Sequence, residues 1–516
     1  MYTLKDMLRR AVVLNANGAA IHETERSYTW LEVAARVRAI ASELIARGFR
    51  KGDRMAIMSL NSARYFEMQF AVLWAGGTIV PINTRFAARE VIYCLEDMDG
   101  PWICCDDEMM LLFEGIRSSM HGIRGLIYIG TNQCPEDYVS YDSLLQGDSQ
   151  ADPPDPHVDD IAIIYFTGGT TGLPKGVMLT HAQVLAGSQG WASAFTSLSE
   201  DDVYIHAAPM FHMADGIMCF TATITACSNL FMGKFEMQAL VDACNRHKVT
   251  CILLVPTMAR MLCMYLNETG QSIPSLRLMV YGASPMPRPV LDMVMKTFPA
   301  VELYHGYGAT EALGITILGP EHHTQDERGE KMMRSCGRAF RGVLLSIQSP
   351  DHKPLPPGQI GEVCIRSNSV MKGYWNKPHL TADVICDNWY HSGDAGFLDD
   401  RGFLTLVDRV KDMLITGGEN VYSAEVENTL LLHPAIEECA IVGLPDEKWG
   451  ELVHAVIRLK PGGSVTCGEL QQFCRQHLAG YKVPKSVEFA DRPLPKTPVG
   501  KMDKTQLKRM IVDRAH

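Results

Sequence analysis

The sequence predicts an α/β fold, with a large N-terminal domain of βαβ-type subdomains and parallel-rich sheets followed by a small C-terminal domain. Two observations support this. At 516 residues the chain is too long for one ordinary hydrophobic core. Strand-like and helix-like segments also alternate from the start, which is typical of parallel sheets. Because the character of the chain changes after "DRVKD" (408–412), we expect domains at 1–409 and 410–516.

The first elements show this alternation directly. Thr29 and Glu32 form a capping box, and an apolar pattern with helical spacing continues from them to Gly48. The segments that follow alternate in type: a strand at 55–58, a helix from Ser62 to Gly76, a strand at 78–80, a helix at 87–96 and an apolar run at 101–105. Further strands are expected at 161–166, 360–365 and 403–407, and the polar segment 319–334 is expected to be an exposed loop.

Composition excludes several classes of partner. The formal net charge of −11 argues against nucleic acid and anionic membranes, both of which favour a basic protein surface. The 15 cysteines show no metal-ligand spacing, so we expect reduced thiols and a cytoplasmic location. No stretch has the composition of a signal peptide or a transmembrane segment. A homo-oligomer is compatible with the sequence but is not determined by it.

A Gly- and Thr-rich stretch, "YFTGGTTGLPKGVMLTH" (165–181), follows a strand-like run and resembles a phosphate-binding loop. It matches neither of two common nucleotide motifs. Lys175 follows Pro174 and precedes Gly176, which excludes a Walker loop, and the adjacent Gly168 and Gly169 exclude the dinucleotide fingerprint. Taken alone, such a stretch is more often a structural turn.

Five further motifs lie in order along the chain: "APMFHMADG" (208–216), "VYGASPMP" (280–287), "ELYHGYGATEA" (302–312), "WYHSGDAGFLDDRGFLTLVDRVKDMLITGGENVYSAEVE" (389–427) and "LPKTPVGKMDK" (494–504). With the glycine loop, they make nearly the whole chain resemble the acyl- and aryl-CoA synthetases of the adenylate-forming superfamily. The resemblance implies a mobile α+β C-terminal domain. It also implies that ATP, Mg²⁺ and coenzyme A act together on a small-molecule carboxylic acid.

The resemblance assigns the ATP-binding residues. Pyrophosphate would be bound by Thr167, Gly168, Gly169, Thr170, Thr171, Gly172 and Lys175. Gly282, Ala283, Ser284 and Tyr307 would flank the adenine, and His305, Gly306 and Gly308 belong to the same nucleotide-binding set. Thr310 would contact the α-phosphate, Glu311 would bind Mg²⁺, and Asp394 and Arg409 would bind the ribose. Without the resemblance, Thr310–Glu311 would be interpreted as a helix cap and Asp394 as a turn residue.

Further residues are assigned to catalysis and to the thiol step. Lys501 resembles the catalytic lysine of the adenylation step, and Lys411 aligns with the hinge of a rotating C-terminal domain. Gly417 and Gly418 would line the pantetheine tunnel, and His212 would gate the acyl pocket. Taken alone, Lys501 would be a solvated surface lysine and His212 a packed core histidine. Asp215 has no predicted role.

The sequence limits the class of the carboxylic acid substrate but does not identify the acid. Amino-acid-activating relatives have an Asp where this chain has His212, so an amino acid substrate is not expected. Small residues, including Gly216 and Gly306, suggest a roomy pocket for a fatty acid or an arylalkanoate. Three alternatives stay open: transfer to a carrier-protein thiol, a luciferase-like oxidation, and a non-catalytic nucleotide-binding scaffold.

Overall fold

The computed structural model describes residues 2–23, 26–148, 153, 155–167, 173–195, 197–416, 419–446, 449–496 and 502–515. Its helices are α1 (Leu4–Asn15), α2 (Trp30–Ala46), α3 (Ala63–Trp74), α4 (Ala88–Asp97), α5 (Asp107–Arg117), α6 (Tyr141–Leu144), α7 (His181–Ala194), α8 (Met213–Thr225), α9 (Met237–His247), α10 (Pro256–Thr269), α11 (Arg288–Thr297), α12 (Glu327–Met332), α13 (Pro378–Val384), α14 (Ser423–Leu431), α15 (Cys467–His477) and α16 (Lys504–Ala515). No helix in these ranges is both long enough and apolar enough to cross a bilayer.

The strands of the same residues are short and are distributed along the whole chain. They are β1 (Ala19–His22), β2 (Ser27–Thr29), β3 (Arg54–Met58), β4 (Thr78–Pro81), β5 (Trp102–Cys105), β6 (Gly125–Tyr128), β7 (Val139–Ser140), β8 (Ile161–Thr167), β9 (Lys175–Thr180), β10 (Val203–His206), β11 (Ser228–Phe231), β12 (Cys251–Leu254), β13 (Leu278–Gly282), β14 (Glu302–Ala309), β15 (Leu313–Leu318), β16 (Arg338–Ala339), β17 (Val343–Gln348), β18 (Gly361–Ser367), β19 (Gly373–Tyr374), β20 (Ile385–Cys386), β21 (Trp389–Leu398), β22 (Leu404–Arg409), β23 (Leu414–Thr416), β24 (Glu419–Val421), β25 (Ile436–Asp446), β26 (Gly450–Leu459) and β27 (Ser486–Phe489).

The chain forms two compact units. Of the described residues, the larger comprises those within 2–167, 173–345 and 365–390, and the smaller comprises those within 346–364 and 391–515. The smaller unit therefore includes residues on the N-terminal side of position 409 as well as the C-terminal block. The division of the chain into domains 1–409 and 410–516 stays a prediction.

The larger unit contains two sheets that are mostly parallel, as predicted. One has the order β16-β15-β14-β13-β12-β10-β11-β1-β2, and the other has the order β19-β9-β8-β4-β3-β5-β6-β7. The β3–β4 and β3–β5 pairs are parallel, which confirms the βαβ interpretation of the first hundred residues. In the capping box before α2, the Thr29 side chain accepts from the Glu32 backbone N–H and the Glu32 side chain accepts from the Thr29 backbone N–H.

The smaller unit has its own sheet and core. A sheet that lies entirely within it has the order β24-β23-β26-β25, with β27 added beside β26. Val426 and Leu430 of α14 pack with Ile441 and Val453 of the sheet, and Leu470 of α15 belongs to the same buried cluster. Helices packed on a largely antiparallel sheet agree with the predicted α+β class.

One local expectation was wrong. Segment 319–334 was expected to be an exposed loop, but it contains α12, and Met332 at the end of this helix is buried. Asp326 caps the helix by accepting a hydrogen bond from the Gly329 N–H at 2.7 Å. The polar composition of the segment obscured this cap and the apolar anchor.

Candidate active site

Thr167 and Lys175 lie on opposite sides of the glycine loop at the ends of two paired strands. β8 and β9 are antiparallel, and these two residues are partners in the register. The Thr167 hydroxyl donates to the Lys175 carbonyl oxygen at 3.4 Å. The chain therefore returns from the loop to the point where it left, beside the predicted pyrophosphate-binding lysine. Gly168, Gly169, Thr170, Thr171 and Gly172 lie outside the described residues.

Glu311 contacts a residue that the sequence analysis missed. The Tyr374 hydroxyl donates to Glu311 Oε1 at 2.9 Å. Tyr374 is buried, and burial together with the Glu311 carboxylate raises the pKa of its hydroxyl, so the group remains a donor at neutral pH. Lys175 Nζ lies 5.2 Å from the centroid of the Tyr374 ring, within cation–π distance. One tyrosine therefore contacts both the predicted phosphate-binding cation and the predicted metal-binding carboxylate.

Backbone hydrogen bonds hold this arrangement in place. The Met371 N–H donates to the Glu311 carbonyl oxygen at 2.7 Å, and the Trp375 N–H donates to the Gly176 carbonyl oxygen at 2.7 Å. Between these two bonds, β19 pairs with β9 through Gly373 and Tyr374. The segment 371–375 thus connects the strand that begins with Lys175 to the backbone of Glu311. Its sequence, a Gly followed by two aromatic residues, does not by itself indicate these contacts.

The predicted adenine-flanking residues lie on two neighbouring strands. Gly282 and Gly306 are partners in the parallel β13–β14 pair. A Cβ on Gly282 would lie 2.2 Å from the Gly306 carbonyl oxygen, so this close approach requires glycine. Ala283 has a φ of 63°, in the left-handed region, and Ser284 follows it where the strand has ended. Tyr307 and Gly308 continue β14 towards Thr310, with a register shift between them.

His305 is half-buried and packs against an aromatic neighbour. Its ring stacks on Tyr281, with centroids 4.8 Å apart and an interplanar angle of 8°. Burial lowers the pKa of His305 to about 4, so the ring is neutral at pH 7 and Nδ1–H can donate to the Ser335 carbonyl oxygen at 3.3 Å. The Tyr281 hydroxyl in turn hydrogen-bonds His323 Nε2 at 2.9 Å. Through these contacts His305 orients Tyr281 and, next to it at the end of β13, Gly282.

Trp191 fills the space beside the glycines of β14 and β15. A Cβ on Gly306 would lie 2.4 Å from the Trp191 ring, and one on Gly314 would lie 2.9 Å from its Nε1. Phe195 and Phe340 pack on the same ring, with centroids 5.7 and 4.8 Å away. Similarly, a Cβ on Gly216 would lie 2.1 Å from the Tyr165 hydroxyl oxygen. The expectation of a roomy pocket at Gly216 and Gly306 was therefore wrong, because aromatic side chains occupy the space that these glycines leave.

His212 lies at the N-terminus of α8, as the residue before Met213. Its backbone N–H donates to Pro209 O at 3.1 Å, and its carbonyl oxygen accepts from the Gly216 N–H at 2.8 Å. The ring packs against Phe211, with centroids 4.6 Å apart. His212 is half-buried, which is compatible with the predicted gate of the acyl pocket.

In the smaller unit, Asp394 and Arg409 are paired directly. They are register partners in the β21–β22 hairpin, and Arg409 Nε lies 2.8 Å from Asp394 Oδ1. Asp394 is buried, whereas the Arg409 side chain is 45% exposed. The structure therefore brings together the two residues that were predicted to bind the ribose.

Glu362 fixes the turn that carries Asp394, and the sequence analysis missed it as well. Its Oε1 accepts from the Gly393 N–H at 2.9 Å, and its Oε2 lies 2.8 Å from His391 Nδ1. Gly393 has a φ of 69°, which favours glycine at this position. Gly417, Gly418 and Lys501 lie outside the described residues, as does the side chain of Lys411.

Two family models match the chain. The model for the AMP-binding enzymes covers residues 8–375, and the model for their C-terminal domain covers residues 425–501. The chain belongs to the AMP-binding enzyme family. It is thus an AMP-forming acid–thiol ligase of the adenylate-forming superfamily, as the motifs predicted.

Individual relatives agree over almost the full length. The chain is 34% identical to a feruloyl-CoA synthase of Amycolatopsis sp, covering 97% of each protein. It is 32% identical to the fatty acid–[acyl-carrier-protein] ligase ScoC of Streptomyces coeruleorubidus, covering 95% of this chain and 92% of the other. Its fold matches that of the o-succinylbenzoate coenzyme A synthetase of Bacillus subtilis in complex with ATP and magnesium ion, with a TM-score of 0.82, 29% identity and coverage of 97% and 99%.

Proposed function

We propose that this enzyme activates an arylalkanoic or fatty acid as its acyl-adenylate and transfers the acyl group to coenzyme A, releasing AMP and pyrophosphate. The observation that supports the proposal most is the contact of Tyr374 with both Lys175 and Glu311. A lysine and a carboxylate held beside a glycine loop match the needs of polyphosphate chemistry, namely a cation for the phosphates and an anion for their metal.

The adenylation step joins two anions, so it requires charge stabilisation. A substrate carboxylate oxygen attacks the α-phosphorus of ATP, forming the acyl–phosphate bond and breaking the bond to pyrophosphate. Thr167, the loop 168–172 and Lys175 hold the leaving pyrophosphate, and Thr310 donates to the α-phosphate. Asp394 and Arg409 bind the ribose, and Gly282 to Ser284 together with Tyr307 bind the adenine. Donors fixed before the reaction lower the barrier because they need no reorganisation.

Glu311 fits the role of magnesium ligand. Mg²⁺ prefers carboxylate oxygens in addition to substrate phosphates, and Glu311 offers a carboxylate oriented by the Tyr374 hydroxyl. When bound, the metal neutralises charge on the phosphates. Tyr374 contributes by restricting the rotation of the Glu311 side chain.

Lys501 acts in the adenylation step, and rotation of the C-terminal domain removes it from the site before the thiol step. Its ammonium bridges the substrate carboxylate and the α-phosphate. For the second step, the C-terminal domain turns about a hinge at Lys411, and Gly417 and Gly418 leave a channel for pantetheine. The thiolate then attacks the acyl carbonyl, and AMP leaves with the electrons of the acyl–oxygen bond.

Trp191 favours arylalkanoic acids over long fatty chains. The ring occupies the space beside Gly306, and Phe195 and Phe340 pack against it. A compact aryl group needs less depth beside this aromatic cluster, whereas a long flexible chain would require the ring to move aside. A fatty acid of moderate length is the second candidate, and the similarity to ScoC supports keeping it.

The proposal is tested with a panel of carboxylic acids that combines a chain-length series with an aromatic series. ATP–pyrophosphate exchange reports adenylation, and AMP release with coenzyme A or a phosphopantetheinyl carrier protein reports the acceptor. We expect exchange with arylalkanoates and turnover with free coenzyme A. The absence of exchange with any acid would contradict the proposed activity. Turnover with the carrier protein alone would correct the acceptor.

The role of Lys501 is tested with the Lys501→Ala variant. Removing the ammonium should reduce exchange by about 10²–10³-fold, the usual cost of losing one transition-state contact. Thioester formation from supplied acyl-adenylate should stay near the wild-type rate. An equal loss in both steps would refute the assignment.

A further inference from the structure

A buried polar network lies at the end of β10 and the start of α8, and no predicted role accounts for it. His206 Nδ1 lies 2.8 Å from Asp215 Oδ2, and its Nε2 lies 3.0 Å from Asn229 Oδ1. The Tyr204 hydroxyl donates to the other Asp215 oxygen at 2.9 Å. His206, Asp215 and Asn229 are fully buried. Groups buried to this degree are retained only when they are well paired.

The hydrogen bonds around His206 determine the charge of its imidazole ring. Asn229 Nδ2 donates to the carbonyl oxygens of Ala20 and Cys227, so its Oδ1 is the atom that faces the imidazole. His206 Nε2 must therefore donate. Nδ1 faces a carboxylate that also accepts from Tyr204, so it donates too, and the ring is a cation paired with Asp215.

The surrounding groups agree with this assignment. Burial alone would lower the pKa of His206, but the nearby Cys219 sulfur and the Asp215 carboxylate outweigh it and raise that pKa. Cys219 Sγ lies 3.7 Å from His206 Nδ1. Every polar atom named here has a partner within the protein, so the network needs no metal ion to account for it.

The ion pair closes a loop that carries His212. His206 is the last residue of β10 and Asp215 lies in the first turn of α8, so their side chains join the two ends of segment 207–214. Asn61 holds the same segment from another side. Its Nδ2 donates to Ala208 O at 2.7 Å, and its Oδ1 accepts from the Met210 N–H at 2.8 Å.

We propose that the His206–Asp215 ion pair positions segment 207–214, and through it His212, for binding of the carboxylic acid. The role of His212 at the acyl pocket rests on the function proposed above. Asp215 and His206 act as positioning residues, since both are fully buried and act through the backbone of the loop that they close. Loss of one member leaves either an uncompensated buried charge or, after a proton is lost, a buried polar group without its partner, and a shift of the loop relieves both.

Asp215→Asn, which keeps the size of the side chain and removes its charge, is the direct test. The expected result is a rise of about tenfold in the KM for the acid, with the KM for ATP unchanged, as the loss of a charge-assisted contact predicts. Hydrogen exchange of the amides in 207–214 should become faster. Tyr204→Phe removes one hydrogen bond to Asp215 and keeps the ion pair, so it should give a smaller change in the same direction if Asp215→Asn folds poorly.

Glu67→Gln is the matched control. Glu67 is also buried in the larger unit and is paired with Arg36, whose Nε lies 2.6 Å from Glu67 Oε1. This control should lower stability without raising the KM for the acid relative to that for ATP. A parallel rise of both KM values in Asp215→Asn and Tyr204→Phe, or the same selective rise in the control, would overturn the proposal.

Hydrogen exchange separates this inference from the proposed function. If the wild type activates no acid, the proposed function fails, and amide hydrogen exchange in segment 207–214 alone decides whether the His206–Asp215 pair positions that segment. Unchanged amide hydrogen exchange in both variants would overturn the positioning role. Faster exchange confined to this segment would support it.

Discussion

The two units arrange their predicted ATP-binding charged side chains in opposite ways. In the larger unit, Lys175 and Glu311 both contact Tyr374, and no ion pair joins them, although the structure describes both side chains. In the smaller unit, Asp394 and Arg409 are joined directly at 2.8 Å. The first arrangement keeps a cation and an anion apart on one aromatic residue, and the second joins them.

The difference matches the chemistry of the proposed ligands. A polyphosphate and its metal carry strong charges of opposite sign, and each requires a protein group that a partner has not already neutralised. Ribose hydroxyls are neutral. They need only hydrogen-bond acceptors and donors, which a paired carboxylate still provides through its remaining lone pairs. Three substitutions test this division, from the largest expected effect to the smallest, and a fourth tests the preference among acids.

Glu311→Gln should have the largest effect. It keeps the hydrogen bond from Tyr374 but removes the charge that the metal requires, so we expect kcat for ATP–pyrophosphate exchange to fall by about 10²–10³-fold. The concentration of Mg²⁺ needed for half-maximal rate should rise. Exchange kinetics over a Mg²⁺ titration measure both quantities.

Glu302→Gln is its control. Glu302 begins β14, the strand that precedes Glu311 in the chain, and accepts from the Ser197 hydroxyl at 2.7 Å. It should leave the magnesium dependence unchanged. Similar kinetics in the two variants would mean that the carboxylate of Glu311 has no special relation to the metal.

Tyr374→Phe should have a smaller effect, because it removes only the hydrogen bond to Glu311 and keeps the ring beside Lys175. Loss of one hydrogen bond to a charged group predicts about a tenfold fall in kcat/KM for ATP. Tyr374→Leu, which also removes the ring, should lose more. Tyr128→Phe removes a comparable tyrosine–carboxylate bond, to Asp107, and should keep wild-type kinetics. Equal losses of kcat/KM in Tyr374→Phe and Tyr374→Leu would mean that the contact of the ring with Lys175 contributes nothing.

Asp394→Asn should raise the KM for ATP by about threefold to tenfold and change kcat little, because the amide still offers an oxygen acceptor to the ribose. Deoxy-ATP analogues should lose less affinity in the variant than in the wild type. Asp202→Asn removes the charge from another buried aspartate paired with an arginine, Arg277, and serves as the control for stability. A large fall in kcat in Asp394→Asn would contradict a role limited to ribose binding.

The sequence was sufficient wherever a local pattern determines the structure. The capping box at Thr29 and the parallel strands β3 to β5 follow from the local periodicity of the sequence. Tyr374 and Glu362 could not be predicted in this way, because each acts through a contact with a residue distant in sequence. Gly306 illustrates the same limit: a glycine marks close packing, but only the structure shows that Trp191 occupies the space.

Trp191→Phe tests the proposed preference among acids and should have the smallest effect on rate. It shortens the aromatic wall beside Gly306 and Gly314, so longer fatty acids should gain about threefold to tenfold in kcat/KM relative to arylalkanoates. Trp102→Phe is closely matched, since the Trp102 ring packs on Gly125 and its indole N–H is likewise buried without a partner. It should lower stability without changing the preference between acids. An unchanged preference in Trp191→Phe would show that the acyl group binds elsewhere, and the case for an arylalkanoate would then lose its structural support.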